Sequence, residues 1–174
     1  MTYEIDGTHT TVQFTVRHMM IANVRGVFSK VSGSVNYDEA NPTASTVEVN
    51  IETASVATPD AARNEHLKGA DFFDAATHPS ITFKSKSIAK SGSGLSVSGD
   101  LSLHGVTKPV TFQASVPTAE AKDPWGNMRR GLEASTSVSR KEFGLVWNAN
   151  IESGGVLISD QVNMTIDAEL VRKP

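Results

Sequence analysis

The chain has 174 residues, with 16 Lys and Arg against 19 Asp and Glu, a net charge of −3, and no cysteine. That length suits one domain that folds without a metal or disulfide, and the missing thiols exclude a disulfide scaffold, a thiolate zinc site and a cysteine nucleophile. A mildly acidic chain with no basic run is a poor match for nucleic acid, no stretch approaches the roughly 20 apolar residues of a membrane span, and a 39% hydrophobic content excludes a disordered tail.

Valine (18) outnumbers leucine (8), and serine and threonine abound, which is the composition of a β-protein. The opening Met1-Thr2-Tyr3-Glu4-Ile5-Asp6 has no basic and then apolar leader, so Met1 as the natural start implies the cytoplasm. A leader already removed would leave the same residues and imply the periplasm or secretion. From His9 to Met20, the residues Val12, Phe14, Val16, His18 and Met20 share one parity, opposite Thr11, Gln13, Thr15 and Arg17. That is the period of a half-buried strand. It recurs through Val27, Val31, Val35 and Tyr37, then through Val47, Val49, Ile51 and Thr53.

A helix interrupts the pattern. Thr58 reads as its N-cap, Pro59 as its first residue, and Gly69 lies past its end, so a helix is expected over residues 59–69. Only Ala62, His66 and Leu67 give it an apolar face, which predicts that it lies across the fold. Strands resume at Ile81, Phe83 and Ser85, then Leu95, Val97, Leu101 and Leu103, then Val110, Phe112, Ala114 and Val116. Leu132, Ala134, Thr136 and Val138 form another, and Val162, Met164, Ile166, Ala168 and Leu170 the last. Turn signals at 38–42, 91–94, 104–109 and 123–127 separate them. Ser139 to Gly144 reads as one further helical turn.

About eight long amphipathic strands must bury one face, in a sandwich or a barrel. Strands joined in sequence, with one early helix, favour an eight-stranded antiparallel up-and-down barrel. Such an interior is filled by side chains or holds one small ligand. The inward set mixes Val, Ala, Thr, Ser and Gly with a few Phe and Leu, which fits either an apolar cavity for an elongated lipid or a solid core. His9, His18, His66, His78 and His104 show no metal spacing, and there is no Gly-x-Ser-x-Gly elbow or phosphate loop, so neither metal nor cofactor is expected.

Several motifs occur in a familiar order. They are Tyr3-Glu4-Ile5-Asp6 with Thr8-His9, Val12 to His18, Val24-Arg25-Gly26-Val27-Phe28, and Arg63-Asn64-Glu65-His66-Leu67 leading to Asp71-Phe72-Phe73-Asp74. Pro79 to Ser85, Gly99 to Val110 and Ser139 to Gly144 complete the series. Together they resemble the YceI-like family from residue 3 to about 170. The resemblance implies a lipocalin-like barrel that binds a polyisoprenoid, isoprenoid quinone or fatty-acid amide in an internal apolar tunnel, without catalysis and as a homodimer. Asn64 stands where the family often carries Asp, which predicts that an ion pair with Arg63 is lost.

Candidate ligand contacts follow from inward parity: Phe14, Val16, His18, Met20, Phe83, Leu101, Leu103 and Phe112. Phe28, Phe72 and Phe73 join them by their place beside the barrel mouth. His18 reads either as a donor to a ligand head group or as a core histidine bonded to a backbone carbonyl. The competing function is an enzyme that acts on a bound lipid or quinone, with His18 or His104 as acid–base group. Arg25, Arg63, Asp71 and Arg140 are expected in ion pairs at the rim, or as a gate or head-group contact. Residues 59–74 are expected as a lid over the portal or a static plug. An extended backbone there would point Phe72 and Phe73 to opposite sides.

Overall fold

The structure is a computed structural model that describes residues 1–152 and 154–174. Its strands are β1 (Thr2–Ile5), β2 (Thr11–His18), β3 (Ala22–Phe28), β4 (Val31–Asn36), β5 (Thr46–Glu52) and β6 (Val56–Ala57). The helix α1 (Ala61–Lys68) follows, and then β7 (Ser80–Ser91), β8 (Gly94–Leu103), β9 (Val106–Ala114), β10 (Ala121–Lys122), β11 (Met128–Ser139) and β12 (Ile158–Arg172).

Six of the strands act in pairs. β1 and β2 both lie along β12, β4 and β3 lie along them, and β5 and β6 lie along those. Each pair is one bent strand. With β7, β8, β9, β11 and β12 they make eight antiparallel strands, each beside its neighbour in sequence. β12 closes the ring by pairing β11 on one side and β1 and β2 on the other. This is the expected closed up-and-down barrel, with one α-helix among the described residues, as foreseen. β10 merely extends β11 as a short hairpin.

Parity flips wherever a strand bends. Tyr3 and Ile5 are inward on odd positions, and the 3₁₀ turn Gly7–His9 resets the count so that Val12, Phe14 and Val16 are inward on even ones. Ser29 and Lys30 do the same between Phe28 and Val31, both buried, and Thr53–Ser55 does so between Ile51 and Val56. A bulge between Ser85 and Ser87 carries β7 from Phe83 to Ile88. The apolar face therefore stays inside through each corner, because an extra residue restores the alternation that a bend would invert. One expectation fails for this reason: Val27 lies on the opposite face from buried Gly26 and Phe28. Val116 fails for another, since β9 ends at Ala114 and leaves it exposed.

The two ends of the barrel differ. At the end holding the chain termini, Arg130 is buried over the rings of Tyr3 and Tyr37, at 5.7 and 5.2 Å from their centroids. Its Nε donates to the Tyr3 hydroxyl at 2.9 Å, Nη1 to the Thr118 carbonyl at 2.7 Å, and Nη2 to Glu39 at 2.8 Å. These contacts seal that end. Beside it Arg129 binds Asp6, Asp123 and Glu169, each at 2.7 Å.

The other end carries α1 and the segment from residue 140 to 157. Helix α1 starts two residues later than predicted. Its N-cap is Asp60, whose carboxylate accepts from the amides of Ala62 and Arg63 at 2.9 and 3.1 Å. Thr58 instead ties the approach to the helix. Its amide and hydroxyl donate to Asn64 Oδ1, and its hydroxyl accepts from Arg63 Nε. Asn64 has thus exchanged a charge pair for hydrogen bonds with Thr58. No residue of α1 is buried.

Candidate lipid cavity

Two cavities fill the barrel. The larger, about 250 Å³, lies at the helix end, and the smaller, about 110 Å³, lies toward the sealed end. Together they reach the lower part of the roughly 300–1,000 Å³ typical of ligand sites. Ile51, Ile81, Leu101 and Met164 line both, so the two cavities adjoin across four apolar side chains.

Most of the predicted contacts meet there. Phe14, Val16, His18, Phe28, Phe72, Phe73 and Leu103 line the larger cavity, Phe83 and Phe112 the smaller, and Leu101 both. Met20 does not. The strand ends at His18, and Met19 and Met20 form the tip of the β2–β3 hairpin with φ of 50° and 61°, which turns Met20 out to solvent. Alternation carried past an unrecognised turn produced that error.

Phe72 and Phe73 also differ from expectation. Their backbone is a turn, with the Phe73 amide bonded to the Leu67 carbonyl and Asp74 at a φ of 46°. Both rings therefore enter the larger cavity, one on each side. Phe73 packs edge-on against Phe28 at 5.5 Å and Phe14 at 6.4 Å. Phe72 meets His66 at 4.9 Å and Trp147 at 5.3 Å. Trp147 was missed because it follows no strand alternation. Its carbonyl, with those of Leu145 and Ser159, is held by the buried guanidinium of Arg140 at 2.7–2.9 Å.

Gly26 makes room for one of the lining rings. It lies opposite Phe14 in the ladder, and the ring covers it so closely that a β-carbon would collide with it.

The polar part of the larger cavity is cationic or imidazole: Arg17, His18, Arg63, His66 and Arg140. Burial pushes the Arg140 guanidinium below the ordinary arginine value, with Asp160 opposing. His66 Nε2 lies 2.9 Å from Asp71 Oδ2, the one ion pair among the four predicted rim residues. Arg25, Arg63 and Arg140 form none among the described residues, since Arg63 is used by Thr58 and Arg140 by backbone carbonyls. The His18 ring has no hydrogen-bond partner among the described residues, so it is not the carbonyl-bonded core histidine. His104 is that kind of residue. It lies 3.0 Å from the Phe143 carbonyl, meets His78 edge-on at 5.0 Å, and is outside the lining of both cavities.

Asp6, His9 and Glu169 come within metal-binding distance of one another, but Arg129 already bridges Asp6 and Glu169. Among the described residues no helix is long and apolar enough to cross a membrane.

Comparison with known proteins agrees with the motifs. The family model of the YceI-like domain matches residues 3–170. Protein YceI of Escherichia coli O17:K52:H18 is 39% identical over 173 residues, covering 98% of this chain and 87% of that protein. The crystal structure of the Campylobacter jejuni YceI protein superposes with a TM-score of 0.76 at 29% identity, covering 91% of this chain and 90% of that one. A polyisoprenoid binding domain from Saccharophagus degradans gives a TM-score of 0.69 at 18% identity, covering 98% of each chain. A closed eight-stranded barrel with these motifs in this order places the chain in the YceI-like family.

Proposed function

We propose that this protein binds one long-chain isoprenoid lipid, a polyisoprenoid or isoprenoid quinone, and sequesters or carries it without chemical change. The observation that carries the reading is the pair of apolar cavities inside one barrel, which share Ile51, Ile81, Leu101 and Met164 and so lie end to end. A flexible chain suits that shape, and each buried methylene contributes roughly 0.8 kcal/mol. The Saccharophagus domain, named for polyisoprenoid binding, shares the fold and so supports the same ligand class. Arg17, His18, Arg63, His66 and Arg140 at the helix end suit a head group that accepts hydrogen bonds or carries negative charge. Among the described residues the lining of the larger cavity offers His18 no hydroxyl or carboxylate to work with, which favours binding over acid–base catalysis.

Loss of cavity volume tests this. Val16 lines the larger cavity and Ala114 the smaller. Organic extraction of purified Val16→Trp or Ala114→Phe should yield well under half the lipid of the unaltered protein, with the circular dichroism of the barrel retained. Equal lipid content in both variants would contradict the reading.

A further inference from the structure

The β2–β3 hairpin has an unusual tip. Its turn, from His18 to Ile21, is closed by the Ile21 amide on the His18 carbonyl at 3.1 Å. Its central residues Met19 and Met20 both have left-handed φ, a conformation that favours Asn-Gly and is strained for long side chains. Met19, Met20 and Ile21 are 41%, 59% and 74% exposed. Three large apolar side chains thus stand in water at a turn where short polar ones would be easier, and strain of this kind points to use.

Two further observations identify the user. First, the tip continues the mouth of the larger cavity. Val16, His18 and Val24, just below it, line that cavity, and so does Leu157, whose carbonyl accepts the Met19 amide at 2.7 Å. Second, the charges on the hairpin are Arg17 and Arg25, both exposed and neither in an ion pair among the described residues. At about 3.3 Å per residue, Arg17 lies roughly 7 Å from Met19 along the strand and Arg25 roughly 13 Å from Ile21. Interfacial segments sink their apolar residues roughly 5–10 Å into a bilayer, which would hold these guanidinium groups at the level of the lipid phosphates.

We propose that Met19, Met20 and Ile21 insert into an anionic lipid bilayer, so that the cavity mouth meets the surface from which its ligand is drawn. The inference rests on the reading of the cavity as a lipid site, but its test is separate. Flotation with phosphatidylcholine vesicles, and with vesicles that also contain phosphatidylglycerol, measures docking. Native mass spectrometry measures the bound lipid.

The unaltered protein floats with the anionic vesicles and much less with the neutral ones. The triple variant Met19→Asn, Met20→Gly, Ile21→Ser supplies a better turn and no apolar tip. It keeps its bound lipid and no longer floats. Arg25→Gln weakens binding to anionic vesicles about five-fold and leaves neutral vesicles unaffected. A protein that never floats, or a triple variant that floats as well as the original, overturns the proposal. So does a triple variant that floats normally while its mass in light scattering halves, since the tip would then join two copies of this chain. An unaltered protein that floats with anionic vesicles but carries no bound lipid would count against the cavity reading and leave the docking proposal standing.

Discussion

Gly26 and Phe14 show how one residue sets the width of the site. A glycine in the middle of a strand weakens it, and here the ring of Phe14 takes the space that a side chain would fill. Gly26→Ala should drive the ring into the larger cavity. Overpacking of this kind costs about 1–3 kcal/mol, and the displaced ring should also lower lipid content. Thermal unfolding beside extraction checks both, and a variant with unchanged lipid content would show that Phe14 has room to move elsewhere. Glycine at that position was visible in the chain, but its purpose was not, because it depends on which residue the ladder places opposite.

At the scale of elements, the segment from Pro59 to Asp74 is the part best suited to move. Helix α1 buries none of its residues, and its hold on the barrel comes from Leu67 and from Phe72 and Phe73 beyond it. Elements with few buried contacts open at low free energy. Residues 59–74 are therefore expected to exchange amide hydrogens faster than β8 or β12, and faster still after lipid is removed. Protection equal to the strands in both states would make the helix a static plug. Phe72→Ala and Phe73→Ala should each speed lipid exchange, with the larger loss of stability at Phe72, the more buried of the two.

The strands themselves were legible because alternation is local. Leu95 to Leu103 and Val162 to Leu170 were assigned to the correct face along their whole length. The bends were not legible, because a parity flip at Ser29 or Ser85 is meaningful only once the neighbouring strand is known. Trp147 escaped for a related reason, and so did the way Arg140, expected at the rim, binds backbone carbonyls. Both residues lie in an irregular segment held by hydrogen bonds to backbone carbonyls, and such bonds leave no pattern in the residues that receive them.

For the whole molecule, the sealed end supplies stability while the helix end supplies access. Asp6 is held well below the usual carboxylate range by hydrogen bonds from Thr8, then Arg129 and His9, and Asp123 is held low chiefly by Arg129. A carboxylate whose folded value is depressed stabilises the fold above its unfolded value, near 3.9, and that contribution fades as pH falls toward the folded value. Thermal stability should therefore change little between about pH 7 and 5 and drop below about pH 4. Arg129→Met should melt at lower temperature at pH 7, and the gap to the unaltered protein should narrow by pH 3. A gap that stays constant across that range would place the role of Arg129 in packing alone.

The claim that unites both ends is that the barrel encloses one long apolar molecule. Native mass spectrometry of the protein purified from cells without detergent addresses it most directly. The account predicts a species heavier than the 18.6 kDa chain by the mass of a single long-chain lipid, with that mass recovered in the organic extract and diminished in Val16→Trp. A bare chain mass in every preparation, including protein offered isoprenoid lipids, would contradict it.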